Sequence, residues 1–483
     1  MEAMVSKNGL NFNELEKEIF RIGCEIALNI MRHILGVMDI SIRQGRDKKR
    51  YRHKGKRKTT IKTIMGELTF ERAVYETKLE DGKTACVFLL DEVLGFDTVG
   101  KVSSNLATEI AGCVCVSSYR ESAKAVSSMT GQTISHGGVW NIIQRLGQRQ
   151  ANVEKKQTEQ AKAGQGIGEI IARMLFEEAD GVWINMQKKH RQGTGKKREM
   201  KVAVAYDGWV QESKDRFYLS NKVLISGFNK SKDFQEKKEG AIAAVFNTDE
   251  IQVRILNGDG GGWIKEGLTY EDVHFQLDPF HKNREITRKV KDKKHLATIQ
   301  RLLTEKKVDF CLKYIDALSE SVDDEKEKEN LKNLYGYLRN NRDGLIPYQE
   351  RGLDLPAPPE GMTYRTLGTM EHHVGDVFAR RMKRRKASWS IEGAENLGRL
   401  LCKKATGELN ETVTALSRMV LPECFTEEVT AILSAAQAPT KDGKGYHYPV
   451  RGSEPFLNTF VTNGRKAILN MLKDRVASEL IYR

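Results

Sequence analysis

The sequence predicts an α/β fold, a mixed sheet flanked by helices, for residues 165–284. Short apolar runs of strand length recur there, at 174–179, 182–186, 201–206, 217–220, 223–226, 253–256 and 273–277. Residues 239–246 show helical spacing, and a short helical pattern follows at Trp263-Ile264. Three antiparallel strands, then helix, strand, helix and strand, is the element order of the RNase H-like fold. That fold places the first strand beside the fourth, which would bring Asp180 close to Asp259.

Two of the predicted strands end abruptly beside an acidic residue. The strand at 253–256 stops at a turn-forming cluster that contains Asp259, and the strand at 273–277 stops at Asp278. Open α/β sheets place their chemistry at the carboxyl ends of the strands. Because these acids have no basic neighbour in sequence, they suggest a metal site rather than an ion pair.

Carboxylate oxygens suit Mg²⁺ or Mn²⁺, which keep some of their waters and are held by a few acids. Two such ions about 4 Å apart can activate a nucleophile and stabilise the leaving oxygen in attack on a phosphodiester. Asp180, Asp259 and Glu371 each lie at the start or end of a predicted element, and the basic run 380–386 follows Glu371. Any one of them alone is more often a turn residue or a helix cap, so only their convergence would make a site.

Composition and charge limit the class of protein. The 483 residues suffice for two to four domains, and 39% hydrophobic with 30% charged residues is typical of a soluble globular chain. No apolar run has the length of a membrane helix, and the N-terminus lacks a secretory pattern. Seven scattered cysteines indicate reduced thiols in a cytoplasm. The formal charge of +14 favours a polyanionic partner such as nucleic acid over an unspecific basic surface.

Residues 9–40 form a predicted amphipathic helix. Its apolar positions recur at helical spacing, at Phe12, Leu15, Ile19, Ile22, Ile26, Ile30 and Ile34. Ordinary packing or a dimer surface is the favoured interpretation of this stripe, ahead of a catalytic site.

A dense basic block follows this helix, almost without acidic relief. Its members are Arg43, Arg46, Lys48, Lys49, Arg50, Arg52, His53, Lys54, Lys56, Arg57 and Lys58. Like charge at this density repels itself unless a counter-charged partner is present, and the phosphate backbone is such a partner. A solvated flexible linker is the alternative. Residues 59–64 and 67–75 alternate like strands around Met65-Gly66 and predict a small hairpin that positions the basic arm.

Residues 101–150 predict two helices separated by a short glycine-containing turn. Ser118 opens a capping box for the first helix, and Ser135 caps the second. The apolar side of the second helix is predicted to contain Val139, Trp140, Ile142, Ile143 and Leu146. This order matches the helix-turn-helix arrangement, in which His136 through Asn141 would face the major groove. A plain helical hairpin is the alternative.

Domain boundaries follow from changes of pattern along the chain. Residues 285–365 show helical spacing and close at the proline-rich 353–359, which predicts an all-helical insertion. Residues 366–404 return to the core as two last helices. The predicted regions are 1–40, 41–95, 96–150, 165–284, 285–365, 366–404 and 405–483.

Taken together, the motifs resemble bacterial insertion-sequence transposases of the ISLre type, a DDE group akin to Mutator-like transposases. The resemblance covers nearly the whole chain. It is carried by Glu178-Ala179-Asp180-Gly181, Leu256-Asn257-Gly258-Asp259-Gly260 with Trp263-Ile264, Leu277-Asp278-Pro279-Phe280-His281, and Gly368-Thr369-Met370-Glu371 with Arg381-Met382-Lys383 and Trp389-Ser390.

This resemblance implies roles for individual residues. Asp180 and Asp259 would be the first two catalytic and metal-binding acids. Asp278 and His281 would shape the site or contact DNA. Glu371 is the implied third acid, and Glu392 and Glu395 on the next helix are its rivals.

The resemblance also implies an activity and partners. The chain would cut DNA at the ends of its element and join the freed 3′-hydroxyl to target DNA, with two Mg²⁺ or Mn²⁺ ions. Its partners would be double-stranded DNA and at least a second copy of the chain, with no membrane and, for want of a P-loop, no nucleotide cofactor. The expected location is the bacterial cytoplasm, at the nucleoid. The alternatives are an inactive DNA-binding protein and an RNase H-like nuclease without strand transfer.

DNA contacts are expected from the basic block, from the start of the second helix and from the basic run after Glu371. The residues are Arg46, Lys48, Lys49, Arg50, Arg52, Lys54, Lys56, Arg57, Lys58, His136, Asn141, Arg381, Lys383, Arg384 and Arg385.

Overall fold

The structure of the protein is a computed structural model. The described residues are 11–95, 101–166, 168–191, 195–270, 272–384, 387–417 and 423–437. The chain divides into two compact units, Met1–Arg145 with Asn410–Arg483, and Leu146–Leu409. No helix within the described ranges combines the length and the apolarity needed to cross a bilayer.

A long helix and a three-stranded sheet begin the first unit. Helix α1 spans Phe12–Gly45, and its first turn is capped by Asn11, which accepts a hydrogen bond from the backbone of Asn13 at 3.1 Å. The antiparallel sheet contains, in spatial order, β1 (Arg52–Thr63), β2 (Gly66–Lys78) and β3 (Thr84–Val87). The second half of α1 packs on the sheet in a core that includes Leu35, Met38, Ile61, Leu68 and Phe70.

The basic block differs from its prediction. The sequence predicted a basic arm ahead of a hairpin beginning at residue 59, whereas β1 already begins at Arg52 and includes the basic residues through Lys58. Across the ladder Arg52 lies opposite Glu76, and Lys58 lies opposite Glu71. These cross-strand charge pairs stabilise a strand that like charges alone would disfavour.

Helices α2 (Leu89–Leu94), α3 (Ser104–Val116), α4 (Tyr119–Met129) and α5 (His136–Lys162) follow. Both predicted caps are confirmed, because Ser118 Oγ accepts from the Glu121 backbone at 3.2 Å and Ser135 Oγ from the Gly138 backbone at 3.1 Å. The turn between α4 and α5 touches the tip of the hairpin, where the Gly131 N–H donates to the carbonyl of residue 64 at 2.9 Å.

A five-stranded mixed sheet forms the centre of the second unit. The strands of this unit begin with β4 (Met174–Asn185), β5 (Lys197–Tyr206), β6 (Trp209–Ser213), β7 (Arg216–Leu219), β8 (Val223–Gly227), β9 (Val253–Gly258) and β10 (Val273–Leu277). The large sheet has the order β10-β9-β4-β5-β8. Strands β9 and β10 run parallel to β4, and β5 and β8 continue antiparallel. Its first strand in sequence therefore pairs with its fourth.

Two details of the strands differ from the sequence prediction. Strand β4 continues past Asp180 instead of ending near it, because Gly181 through Asn185 stay paired with β5. The apolar run 217–226 is split, since β7 leaves the large sheet and joins β6 and β11 (Met362–Thr363) in a small separate sheet.

Helices follow the strands and form the insertion. They are α6 (Ser231–Ala243), α7 (Gly262–Lys265), α8 (Pro279–Lys289), α9 (Lys293–Thr304), α10 (Val308–Ser321) and α11 (Glu325–Asn340). Helix α6 begins eight residues before the predicted helix at 239–246. Helices α8 to α11 share a buried core that includes Leu277, Ile286, Ile299, Ile315 and Leu334.

The next helices return the chain to the large sheet, and the last two described helices belong mainly to the first unit. Helix α12 (Met370–His372) continues through the π-helical turn His373–Ala379 into α13 (Arg380–Met382), and α14 (Ile391–Ala405), α15 (Leu409–Ser417) and α16 (Thr426–Gln437) follow. Between α13 and α14 the Trp389 N–H donates to the Asn185 carbonyl at 3.0 Å, which ties this segment to the end of β4.

A buried ion network around Glu177 supports the large sheet. Arg254 donates to Glu177 at 2.7 Å and to Glu239 at 2.7 and 2.9 Å, and Lys238 also contacts the Glu177 carboxylate. Burial alone would raise the pKa of Glu177, but the charges of Arg254 and Lys238 outweigh it and lower the pKa to about 2. Glu177 is therefore ionised and paired at all but strongly acid pH.

The Glu177 network predicts a specific acid sensitivity. Because the folded pKa is depressed below the ordinary 4.5, the stability from Glu177 is present above pH 4.5 and is lost as the pH falls towards 2. The depression corresponds to about 3 kcal/mol. We expect Glu177→Gln to lower the free energy of unfolding at pH 7 by about 3 kcal/mol, and to weaken its further loss between pH 4.5 and 2. Urea titrations at pH 7 and between pH 4.5 and 2 measure the free energy of unfolding of each protein. Exposed Glu250→Gln is the control. Equal acid sensitivity of Glu177→Gln and wild type would refute it.

Candidate functional site

Three aspartates lie at one level across three neighbouring parallel strands. In the sheet register Ala179 lies beside Gly258, and Gly258 lies beside Leu277. Asp180, Asp259 and Asp278 each come one residue later. The parallel register thus brings three aspartates that are far apart in sequence to the same level of the sheet.

His281 faces the first of these acids. It lies in the first turn of α8, and its Nε2 is 3.6 Å from Asp180 Oδ2. The Asp180 carboxylate raises the pKa of His281, the charges of Asp278 and Asp259 act in the same direction, and burial opposes them. The imidazole is therefore placed among the three carboxylates that the sequence analysis selected.

The loop that carries Asp259 is held by its own backbone and by the insertion. Asp259 Oδ1 accepts a hydrogen bond from the Gly261 N–H at 2.8 Å. The Tyr337 hydroxyl of α11 donates to the Asp259 carbonyl at 3.1 Å. Gly260 has φ +88°, and a Cβ there would lie 2.5 Å from Asn341 Oδ1. The helical insertion therefore contacts the loop directly, a role that its sequence spacing did not indicate.

A buried carboxylate that the sequence analysis did not assign supports this edge. Glu178 accepts hydrogen bonds from Tyr206 at 2.6 Å, from Asn257 Nδ2 at 3.0 Å and from the Thr369 hydroxyl at 2.8 Å, besides two backbone N–H groups before α12. Asn257 Nδ2 also donates to Asp278 Oδ2 at 2.9 Å. Asp278 Oδ1 in turn caps α8 at 2.9 Å from the backbone of residue 281. The Asp278 carboxylate is thus engaged with Asn257 and with the first turn of α8, and the role that the resemblance implies for it stays a prediction.

Glu199 is a further acid near the first two, and the sequence analysis missed it. A Cβ at Gly181 would collide with its carboxylate, which therefore lies against the backbone beside Asp180. Burial raises the pKa of Glu199, and the charges of Asp259 and Asp180 raise it further, whereas a hydrogen bond from Trp263 lowers it. The only sequence signal was the glycine that follows Asp180.

The implied third acid lies apart from this group. Glu371 is exposed in α12, and the described contacts do not join its carboxylate to Asp180 or Asp259. Of its rivals, Glu392 is exposed, and Glu395 accepts a hydrogen bond from the Phe228 N–H at 3.2 Å. Glu395 is therefore engaged in packing α14 against the sheet.

Whether a metal ion fits beside Asp180 and Asp259 depends on which side chains could coordinate it. Among the described residues, no three His, Cys, Asp or Glu side chains are grouped so that they could hold a metal ion. Mg²⁺, however, is commonly held by one or two carboxylates together with waters and substrate phosphates. Asp180 and Asp259 supply two such carboxylates at one register level. This pair fits an ion that is completed by a phosphodiester, and not a ready-made protein cage.

The first unit exposes most of the predicted basic residues. Lys48, Lys49, Arg50, Arg52, Lys54, Lys56, Arg57 and Lys58 are exposed along the turn after α1 and along the edge strand β1. Arg46 is half-buried and donates to the Tyr51 carbonyl at 3.1 Å. Arg46 is therefore more firmly held by its own chain than the other basic residues.

The start of α5 forms a second exposed surface on the same unit. His136 and Asn141 are exposed, as predicted for residues that face a groove. Trp140 was placed on the buried side by the sequence pattern, which is wrong, because it is 45% exposed. Together with exposed Arg145, Trp140 and the two predicted residues spread over about half of the helix circumference. Val139, Ile142, Ile143 and Leu146 are buried, as the apolar pattern predicted.

The third basic run lies on the second unit. Lys383 and Arg384 are exposed, whereas Arg381 is half-buried with its guanidinium 5.2 Å from the centre of the Trp389 ring. Arg385 lies outside the described residues.

Comparison with known proteins gives the family. A model of the uncharacterised protein family UPF0236 matches residues 5–418. A UPF0236 protein of Caldanaerobacter subterraneus subsp. tengcongensis is 25% identical over 85% of this chain and 85% of its own. Another from that organism, named for eleven loci, is 25% identical over 84% of this chain and 80% of its own. A UPF0236 protein of Streptococcus gallolyticus, named for its place in the vanSb 3′ region, is 23% identical over 83% and 85%. The chain therefore belongs to the UPF0236 family.

Proposed function

We propose that this protein is a DNA transposase of the ISLre type. It would bind the terminal repeats of an insertion sequence, cut there in a metal-dependent reaction and join the ends to target DNA. The observation that carries the proposal is the register of the sheet, in which Ala179 pairs with Gly258, so that Asp180 of β4 is level with Asp259, the residue directly after β9. Two neighbouring carboxylates repel each other, and a shared divalent cation would relieve that repulsion.

Two further observations support the proposal. The large sheet has its first strand beside its fourth, the arrangement of the RNase H-like core that the proposal requires. A relative in the same family is named for eleven loci of one bacterium. Such multiplicity is what repeated insertion of a mobile element would leave in a genome.

Mg²⁺ or Mn²⁺, when bound, would polarise the scissile phosphate and stabilise the charge of the leaving oxygen. Asp180 and Asp259 would hold the ion, with the DNA phosphate among the remaining ligands. Glu371 is retained as the third acid of the proposal, and DNA binding would have to bring its exposed carboxylate to the pair. Glu199, whose carboxylate lies against the backbone of Gly181, is the alternative third acid. Glu371→Gln and Glu199→Gln, compared in one cleavage assay, identify the acid that cutting requires.

The chain's own residues have distinct tasks in this scheme. His281 lies where it can donate a hydrogen bond to Asp180 or to a phosphate oxygen, which orients the carboxylate. Tyr337 fixes the backbone of Asp259 from the insertion. Both residues act on the position of the acids and neither forms a covalent intermediate with DNA.

DNA would bind through the basic strand β1 and the exposed start of α5. Removing Lys56, Arg57 and Lys58 by alanine substitution should lower duplex affinity at least about tenfold, because each phosphate contact releases counterions. The slope of log affinity against log salt should fall by up to about 2.7, since each neutralised phosphate adds about 0.9 to it. Fluorescence anisotropy at several salt concentrations measures both quantities.

A matched control removes the same charge elsewhere on the first unit. Lys78, Lys83 and Lys124 are exposed and lie outside the basic block. Their triple alanine variant should keep most of the affinity and of the slope. Equal reductions in the two triple variants would show that net charge alone binds DNA, and the assigned surface would be wrong.

A labelled duplex with the element's terminal repeat tests the activity. We expect the wild type to nick it at the element boundary with Mg²⁺ or Mn²⁺, to leave a 3′-hydroxyl and to do nothing in EDTA. The exposed position of Glu371 favours one second candidate, a DNA-binding protein that does not cut. Specific binding of the repeat without cleavage in either ion would select that candidate and reject the transposase.

A further inference from the structure

The first half of α1 presents an uncovered apolar stripe. Phe12 is 74% exposed, Leu15 is 37% exposed and Ile19 is 59% exposed. Ile22 and Ile26 continue the stripe and are half-buried. A monomeric protein seldom leaves a row of large aliphatic and aromatic side chains in water, so such a row marks an interaction surface.

The second half of the same helix is firmly anchored. Leu35 and Met38 are buried against the sheet of the first unit. The helix continues without a break from Phe12 to Gly45, so its first half projects from a fixed base. A partner that covers the stripe would therefore bind a helix that is already formed, which lowers the entropic cost of association.

The spacing of the stripe specifies the form of the partner. Phe12, Leu15, Ile19, Ile22 and Ile26 alternate steps of three and four residues, which is the heptad pattern of a coiled coil. They occupy positions a, d, a, d and a. Isoleucine at the a positions 19 and 26 with leucine at d favours a two-stranded assembly, although isoleucine at 22 relaxes that preference.

Charges beside the stripe distinguish parallel from antiparallel pairing. Glu18 and Glu25 occupy the g positions, and each contacts Arg21 of its own helix. In a parallel pair of identical helices, g faces the e position of the next heptad, so Glu18 meets Gly23 and Glu25 meets Ile30. In the antiparallel pair with the greatest overlap, Glu18 of one helix meets Glu25 of the other twice. Only the parallel pair avoids repulsion between glutamates.

We propose that residues 12–30 of α1 pair with the same segment of a second copy as a parallel two-stranded coiled coil. The contact is isologous, so each copy buries the same stripe, over about 28 Å of helix. This deepens the proposed function, because a transposase must hold two element ends at once. The pairing itself needs neither DNA nor catalysis and is measured without either.

Sedimentation equilibrium of the full chain without DNA tests the proposal. We expect a concentration-dependent dimer for the wild type. Ile19→Glu buries two carboxylates in the seam and should raise the dimer dissociation constant at least about 100-fold. Lys17→Glu, at the outward f position of the same helix, changes the net charge more than Ile19→Glu does. It should nevertheless leave the dimer intact. Circular dichroism confirms that both variants remain folded.

A cysteine at the seam tests the orientation. Position 19 faces itself in a parallel pair and faces position 22 in the antiparallel one. With Cys24, Cys86 and Cys424 replaced by serine, Ile19→Cys should therefore give a disulfide-linked dimer on mild oxidation, while the same serine background with Ile19 does not. A protein that is monomeric up to its solubility limit would overturn the proposal. So would a monomer that dimerises only after residues 438–483 are removed, because the chain's own C-terminal segment would then be the occupant. Loss of cleavage with an intact dimer would instead reject the proposed function alone.

Discussion

Asp259→Asn is expected to reduce cleavage of the terminal-repeat duplex at least about 1,000-fold, with duplex affinity unchanged within twofold. The amide keeps the size of the side chain and its hydrogen bond from Gly261, but it removes the negative charge that holds a divalent ion. Asp180→Asn should have the same effect, because the two acids lie at one level of the sheet. Single-turnover cleavage rates with saturating protein measure this directly.

The control for these variants is an aspartate of the same unit that lies away from the three acids. Asp249 is exposed in the loop after α6, and Asp249→Asn should cut like the wild type. Asp259→Asn with more than a tenth of the wild-type rate would remove Asp259 from the catalytic set. Loss of binding in parallel with cleavage would show that the substitution disrupts the fold.

Glu178→Ala is expected to lower the free energy of unfolding by about 3–5 kcal/mol. The substitution leaves the buried donors of Tyr206, Asn257 and Thr369 without their acceptor at the centre of the second unit. It also frees the amide that steadies Asp278, so the edge with the catalytic acids should loosen with it. For a unit of this size, thermal unfolding should begin about 10 °C lower.

Differential scanning calorimetry measures the effect of Glu178→Ala. Burial raises the pKa of Glu178, and the hydrogen bonds from Tyr206, Thr369 and Asn257 oppose that increase. Exposed Glu212→Ala serves as the control and should change the free energy of unfolding by less than about 0.5 kcal/mol. A Glu178→Ala protein as stable as the control would show that the network adds no net stability.

Much of the architecture was predictable because short-range patterns encode it. The strand Val273–Leu277 has the predicted bounds, and the serine caps at 118 and 135 are where the sequence placed them. The pairing of β4 with β9 also followed from the element order. Local signals failed where pairing decides the structure, as in β1, whose basic residues pair with β2, two of them opposite Glu71 and Glu76.

The candidate site was only partly predictable for the same reason. Asp180 and Asp259 could be selected because each lies at the start or end of a predicted element and belongs to a series of motifs in a specific order. Glu199 and Tyr337 could not, since neither has a local motif and each reaches the site only through the fold. Glu371 was selected by resemblance. Its exposed position depends on how the chain folds, which the spacing of residues along the chain does not show.

We propose that Asp259 holds the ion required for cutting, and replacing its carboxylate with a thiolate is the most direct test. A thiolate is a poor ligand for Mg²⁺ and a better one for softer Mn²⁺. We expect the wild type to cut the repeat duplex with either ion, Asp259→Asn to cut with neither, and Asp259→Cys to cut only with Mn²⁺. A wild type that binds the duplex and cuts with neither ion, or an Asp259→Cys protein equally active with both, would contradict it.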